Sequence, residues 1–245
     1  MKLIQLNIWQ GRLMYAAMRF LEREQADILC LQEVTDAPHK THMFDVIKDM
    51  QARLSYPHIF FSPFLNMELM GMKVPFGNGI FSRLPLHHTD VDRPHGPCLE
   101  TFRPNKSDFE PNNTQIAQMD VGGVPLTLIN THGLLVKNDY QGDERTMHQM
   151  NMAADRAKNA PGGVIVTGDL NLRPEATSLA RLNGELRNLC QEHKTPTTRN
   201  AFAWKDDVVT DYIFVNEAVR VHSFHVAPDL ISDHQALVLE FDLNA

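Results

Sequence analysis

Six places in the chain set a polar, chemically competent side chain against an apolar run. Asn7 interrupts LIQLNIW, Glu33 follows ILCLQ, and Asn130-Thr131-His132 follows LTLI. Asp169 and Asn171 follow GVIVTG, Asp211 precedes YIFV, and Asp233-His234 precedes the last apolar run. One such residue is ordinarily a helix cap or a turn former. Six of them, at strand ends that converge on one sheet edge, point to a site. Asn7, Glu33 and Asp233 offer oxygen, which suits a hard cation such as magnesium or manganese. His132 and His234 can donate to phosphate oxygens or move protons, and a neighbouring carboxylate fixes a histidine's tautomer and holds it charged. Asp211 is the best partner for that task. Asp169 and Asn171, two residues apart, share one side of an extended backbone, where they can orient a water and grip a phosphate together.

Other groups read more plainly. His39 and His42, three residues apart, read as a solvated helix face. Gly77-Asn78-Gly79 reads as a tight turn, since no Gly-Lys-Ser/Thr follows to make a phosphate-cradling loop. No HExxH is present, which argues against a zinc protease. The run from Met67 to Phe76 reads as half-buried loop packing. Its sharper reading is an apolar lip for a base, a lipid tail or a membrane surface.

Strands and helices must position these groups. Alternating or continuous apolar runs predict strands over Lys2–Trp9, Asp27–Val34, His58–Ser62, Gly79–Ser82, Gln115–Val121, Pro125–Asn130 and Gly163–Thr167. Further strands are expected near Asp211–Asn216, Arg220–Val226 and Ala236–Phe241. Gly122-Gly123 is a hairpin turn between two of them. Helical spacing predicts helices over Met14–Gln25, Thr41–Leu54, Asp143–Lys158 and Ala176–Leu189. Asn66–Asn78 and the Pro-rich Asp92–Asn112 are expected to be long loops. The interleaving runs through residues 1–245 with no linker, so one α/β domain is expected.

Composition narrows the class. The 245 residues carry 23 Lys+Arg and 30 Asp+Glu, a net charge of −7, with 43% hydrophobic residues. That is a globular composition and excludes a largely disordered chain. No apolar run is long enough for a transmembrane helix, and the start lacks a signal-peptide pattern. Cys30, Cys98 and Cys190 form no CxxC pair, which argues against a zinc ribbon or a disulfide scaffold and for a reducing, cytoplasmic home. The acidic balance supplies no global field to hold long nucleic acid, though a local basic strip from Arg103, Lys106, Lys137 and Arg173 is open. No protein partner is deducible.

Seven strings together carry a resemblance: LNIW (Leu6–Trp9), LQEV (Leu31–Val34), GNGIFSR (Gly77–Arg83), INTHG (Ile129–Gly133), TGDLN (Thr167–Asn171), DYIFV (Asp211–Val215) and SDHQAL (Ser232–Leu237). In kind and order the chain resembles the endonuclease/exonuclease/phosphatase superfamily, the pancreatic-deoxyribonuclease-like metal-dependent hydrolases. The resemblance implies a four-layer α/β sandwich of two mixed sheets with the site between their edges. It implies a Mg²⁺- or Mn²⁺-dependent phosphoesterase, most readily a phosphodiesterase, with water attacking phosphorus in line. Nucleic acid, a lipid headgroup and a small molecule all stay open as the source of the diester. A nuclease or DNA-repair phosphodiesterase is the alternative, and an inactive phosphate-binding module the rival from another class.

By the same resemblance Glu33 is the principal metal ligand, supported by Asn7 and Asp233. Asp169 orients or deprotonates the water, Asn171 positions phosphate or nucleophile, and His234, held by Asp211, contacts phosphate with His132 as a second contact. Asn78 is a substrate-contact candidate. Where relatives carry an Arg before the strand leading to INTHG, this chain has Asn112-Asn113-Thr114-Gln115, so either an amide, with Asn113 favoured, or Arg103 from the Pro-rich segment does that work. Arg145 and Gln149 match a recurrent R-x-x-x-Q pattern, read as structural.

Overall fold

A computed structural model describes residues 1–36, 45–69, 71–102, 112–137 and 139–244. In chain order the elements are β1 (Lys2–Asn7), α1 (Met14–Glu24), β2 (Ile28–Thr35), α2 (Val46–Leu54), β3 (His58–Leu69), β4 (Met72–Ser82), β5 (His88–Asp92), β6 (Leu99–Phe102), β7 (Thr114–Val121) and β8 (Val124–His132). There follow α3 (Glu144–Lys158), β9 (Gly163–Asp169), α4 (Ala180–Glu185), β10 (Arg187–Asn188), α5 (Leu189–Glu192), β11 (Asp211–Val215), β12 (Val219–Val226) and β13 (Leu237–Leu243). Single turns of 3₁₀ helix cover Trp9–Gly11 and Thr177–Leu179.

The strands form two mixed sheets, ordered β12-β13-β1-β2-β4-β3-β6 and β10-β11-β9-β8-β7-β5. Side-chain alternation along β1 and β2 explains the layering. Leu3, Ile28 and Cys30 belong to the core shared with the second sheet, where Leu126, Leu128, Ile165 and Ile213 also lie. Ile4, Leu6, Leu29 and Leu31 face the other way, onto Met14, Met18 and Leu21 of α1 and Val46 and Met50 of α2. On the far side of the second sheet α3 presents Met150, Ala153, Ala154 and Ala157. Helices, sheet, sheet and helices make the α/β sandwich.

Three expectations are corrected. The Met-rich stretch is no loop: it is the outer half of the β3–β4 hairpin, with Leu65 opposite Phe76 and Met67 opposite Val74. Gly77-Asn78-Gly79 accordingly lies inside β4, not in a turn. Glycine is required at 77 because a Cβ there would lie 2.1 Å from the Ser62 carbonyl oxygen. Ala176–Leu189 is not one helix but a 3₁₀ turn, α4 and the short β10, where the chain meets the edge of β11. Gly122 and Gly123 do make the β7–β8 turn, at φ +61° and +88°, as a two-residue hairpin demands. His39, His42, Arg103 and Lys106 lie outside the described residues.

Candidate active site

Strand register brings the polar ends together. β8 and β9 run parallel with His132 beside Asp169, and β9 and β11 run antiparallel with Asp169 beside Asp211. Asp169 therefore sits at the centre of a row of three. From the other sheet, Asn7 ends β1 and reaches across: its Nδ2 donates to Glu33 Oε1 and to Asp169 Oδ2, both at 3.1 Å. Its Oδ1 accepts from the Trp9 backbone N–H at 3.0 Å. In this arrangement Asn7 offers the site an N–H and spends its oxygen on the following turn.

Glu33 owes its place to an irregularity. Between the pairs Leu31–Gly79 and Val34–Gly77, β2 has two residues where β4 has only Asn78. Such a bulge breaks the alternation and re-aims a side chain. Glu33 takes φ +58° there, and its carboxylate lines a cleft of about 250 Å³. Gln10 Nε2 donates to Glu33 Oε2 at 3.4 Å. His132, Asp169, Asn171, Asp233 and His234 line the same cleft, with Phe64, Leu65, Met67 and Phe76 as an apolar wall. Phe64 stands edge-on to the His132 ring, with centroids 5.8 Å apart.

Asp169 Oδ2 is 3.6 Å from the Nε2 atoms of both His132 and His234. Its Oδ1 accepts from the Asn171 backbone N–H at 3.1 Å, and Asn171 Nδ2 donates to the Gly133 carbonyl at 3.0 Å. His234 Nδ1 lies 2.9 Å from Asp211 Oδ2. Asp211 is fully buried and also accepts from Gln5 Nε2 at 3.0 Å, Thr198 Oγ1 at 2.8 Å and Thr210 Oγ1 at 3.1 Å. Burial opposes the charged carboxylate, but the His234 charge and hydrogen bond, Arg199 and Thr198 outweigh it and hold Asp211 below the usual aspartate range. Burial likewise opposes a charged His234, but Asp211 and Asp169 raise it above the usual histidine value against the opposing charge of Arg199. Asp211 acts from behind: it touches the histidine, not the cleft.

Two substrate-contact candidates turn inward. Asn78 is buried, and its Nδ2 donates to the Asn113 carbonyl at 3.0 Å and to Asn113 Oδ1 at 2.8 Å. Asn113 Nδ2 donates to the Ser62 carbonyl at 3.0 Å. The pair laces β4 to the start of β7, with Asn78 on the face of β4 that Ile80 shares toward the second sheet. The neighbour Asn112 lines the cleft instead. Gln149 does tie helix to strand: its Nε2 donates to the His132 carbonyl at 2.9 Å and its Oε1 accepts from Leu134 N at 3.1 Å. Of the basic-strip residues described, Lys137 is exposed and Arg173 is paired with Asp139 at 3.0 Å.

Sequence reasoning missed Trp9, Gln10, Tyr140 and above all Arg199, which also line the cleft. Arg199 lies in TPTTRN, a polar stretch without periodicity. No signal in that stretch marks it; the bridge to the His234 segment is what places it.

The donor set suits a hard divalent cation. Glu33, Asp169 and Asp233 bring three carboxylates to one cleft, with Asp211 a fourth behind it. Asp169, Asp211 and His234 can each place one ligand atom within 4.8 Å of the others. Three carboxylates on one cleft are a donor set that fits a hard divalent cation.

With this geometry in place, the family follows. The profile of the Endonuclease/Exonuclease/phosphatase family matches residues 4–234, and the chain belongs to that family, whose members are generally hydrolytic phosphoesterases dependent on divalent metal. The same fold occurs in an endonuclease/exonuclease/phosphatase from Beutenbergia cavernae DSM 12333, at 19% identity and TM-score 0.76, covering 100% of this chain and 72% of that one. It occurs in D. rerio TDP2 humanized by 14 mutations, at 18% identity and TM-score 0.72, covering 99% and 98%. The human Nocturnin catalytic domain with bound sulfate anion shares it at 20% identity and TM-score 0.73, covering 100% and 94%. No curated protein sequence matches the chain. Among the described residues, no helix is long and apolar enough to cross a membrane.

Proposed function

We propose that the cleft hydrolyses a phosphodiester with the help of one or more divalent ions, magnesium or manganese. The observation that carries this reading is the convergence of Glu33, Asp169, Asn171, His132 and His234, from both sheets, on one cleft with an apolar wall. Glu33 and Asp233 would hold the metal, which when bound neutralises charge on the phosphoryl and leaving oxygens. Asn7 bridges the Glu33 and Asp169 carboxylates through one amide nitrogen and orients both.

Asp169 is the group that positions the attacking water and takes its proton. Its Oδ1 is fixed by Asn171 N–H, and its Oδ2 lies within reach of both histidines. Asp211 holds His234 protonated, so that Nε2 can donate to a phosphoryl oxygen as charge builds there. His132 is the second donor, with its ring braced against Phe64. The wall of Phe64, Leu65, Met67 and Phe76 suits an apolar or aromatic substituent on the ester. That wall, the net charge of −7 and the pairing of Arg173 with Asp139 favour such a diester over long nucleic acid.

The test is hydrolysis of bis-p-nitrophenyl phosphate beside p-nitrophenyl phosphate, with EDTA, Mg²⁺ or Mn²⁺, comparing wild type and His234→Ala. Metal-dependent diester cleavage that falls about 100-fold or more in the variant is expected. Equal turnover by the folded variant removes His234 from the reaction. Cleavage that persists in EDTA removes the metal.

A further inference from the structure

We propose that Arg199 is the cation that grips the substrate's phosphoryl group, presenting its guanidinium fork to two phosphate oxygens on the His234 side of the cleft. The assignment rests on the phosphoesterase reading and adds to it a residue that neither the sequence pattern nor the register of the main strands discloses.

The backbone fixes where this side chain stands. Arg199 forms an isolated antiparallel bridge with His234. Gln235 N donates to the Thr198 carbonyl at 2.8 Å and Asn200 N to the Asp233 carbonyl at 3.3 Å. The segment carrying Arg199 is thus stitched to the segment carrying Asp233 and His234. Its side chain is only 9% exposed, yet it lines the cleft.

The partners of the guanidinium do not satisfy it. Nη1 lies against the His234 ring, Nη2 is 3.7 Å from Asp233 Oδ2, and the buried Nε has no hydrogen-bond partner. A guanidinium carries five N–H donors. A purely structural arginine buried this deeply would have them filled by carboxylates and carbonyls, because unfilled buried donors are costly. Here an imidazole, itself favoured as a cation, occupies one side. Burial opposes the Arg199 charge, but Asp169, Asp211 and Asp233 more than restore it. A fork that is charged, buried and under-filled at the wall of a cleft is complementary to a tetrahedral oxyanion.

Charge balance points the same way. Glu33, Asp169 and Asp233 line the cleft and Asp211 lies behind His234. A diester anion entering among three carboxylates, with Asp211 offset by the His234 it holds, needs positive charge beyond a metal at Glu33. Among the described residues lining the cleft, Arg199 is the one arginine or lysine.

The test compares wild type, Arg199→Gln and Arg199→Lys. Binding of inorganic phosphate is measured by titration calorimetry, with EDTA and with Mn²⁺, and KM and kcat are measured separately for bis-p-nitrophenyl phosphate. Arg199→Gln is expected to weaken phosphate roughly 10- to 100-fold and to raise KM, as loss of charged hydrogen bonds implies. Arg199→Lys keeps the charge but loses the fork, so it recovers only part of the affinity. Circular dichroism checks folding. A folded Arg199→Gln whose phosphate affinity and KM stay within twofold of wild type overturns the proposal. If Arg199→Gln does not fold, Arg199→Lys decides: unchanged phosphate affinity overturns the fork. Wild type that binds phosphate through Arg199 but cleaves no diester defeats the phosphoesterase reading and leaves the anion grip standing. Diester cleavage insensitive to Arg199 defeats the grip alone.

Discussion

Asp211→Asn removes one charge and almost no volume, so it isolates the buried pair that holds His234. The carboxylate is fully buried and accepts from Gln5, Thr198, Thr210 and His234 at 2.8–3.1 Å. Asparagine turns half of that terminal group into a donor facing donors. Breaking a buried, hydrogen-bonded ion pair costs about 3–5 kcal/mol. His234 limits the loss by releasing its proton, which puts the expectation at the lower end, about 3 kcal/mol at pH 6. In a chain of this length each kcal/mol moves Tm by about 2–4 °C, so Tm should fall by about 6–12 °C.

The pH dependence gives a sharper test of the same pair. His234 is raised above its unfolded value of about 6.5, chiefly because Asp211 and Asp169 overcome the opposing burial. Its contribution to stability is therefore complete below about pH 6.5 and is lost as pH rises through the folded value. Asp211 is lowered from an unfolded value of about 3.9, so its contribution is complete above that pH and is lost as pH falls through its folded value. Wild type should then lose stability relative to Asp211→Asn between pH 6 and pH 9, and the gap between the two should narrow. Urea denaturation followed by circular dichroism, with EDTA present so that no divalent ion competes for the site, measures both. Equal stability at pH 6, or a gap that does not narrow by pH 9, refutes the pairing as the source of the histidine's charge.

Two further substitutions probe other parts of the construction. Glu33→Gln keeps the shape at the bulge and removes the charge; calorimetric Mn²⁺ affinity should fall at least about tenfold, with activity partly restored by excess metal, and an unchanged affinity would place the ion elsewhere. Gly77→Ala puts a Cβ 2.1 Å from the Ser62 carbonyl and 2.6 Å from Pro63 Cα. It should cost about 1–3 kcal/mol in urea denaturation, and a neutral result would mean the β3–β4 register is wrong.

Periodicity disclosed the individual strands and helices, while the two-sheet sandwich came from the family resemblance. Residues that alternate faces in β1 and β2 announced strands buried on both sides, and the polar groups at their ends followed. The row His132, Asp169, Asp211 needs only correct strand ends and neighbours to form. Where local reasoning failed, the deciding contact was distant. The β3–β4 hairpin is a different case: Asn66, Glu68, Lys73 and Pro75 alternate with Leu65, Met67, Val74 and Phe76, the period of a strand, and the Met, Gly and Pro content masked that alternation. Facing is non-local. One extra residue in β2 changes which side of the sheet its later side chains address, so that Glu33 reaches the cleft, while Asn78 keeps the inward face it shares with Ile80 along β4. Arg199 sits in a stretch with no period at all, and only its pairing with the His234 segment gives it a place.

Backbone strain ties these parts to chemistry. Of the nine non-glycine residues with positive φ among those described, Trp9, Gln10, Glu33, Tyr140 and Asn171 line the cleft. Each such conformation costs about 1–3 kcal/mol, less for asparagine. Together they approach the whole net stability of a typical domain, so the surroundings must hold them in place. The holding groups belong to the same cluster around the cleft. Asn7 Oδ1 fixes the Trp9 N–H, Asp169 Oδ1 fixes the Asn171 N–H, and the β2 bulge fixes Glu33. A chain selected for stability alone would place glycine at these positions. The left-handed conformation of Glu33 is the one that aims its carboxylate from the bulge into the cleft, where the Glu33→Gln substitution tests its part in metal binding.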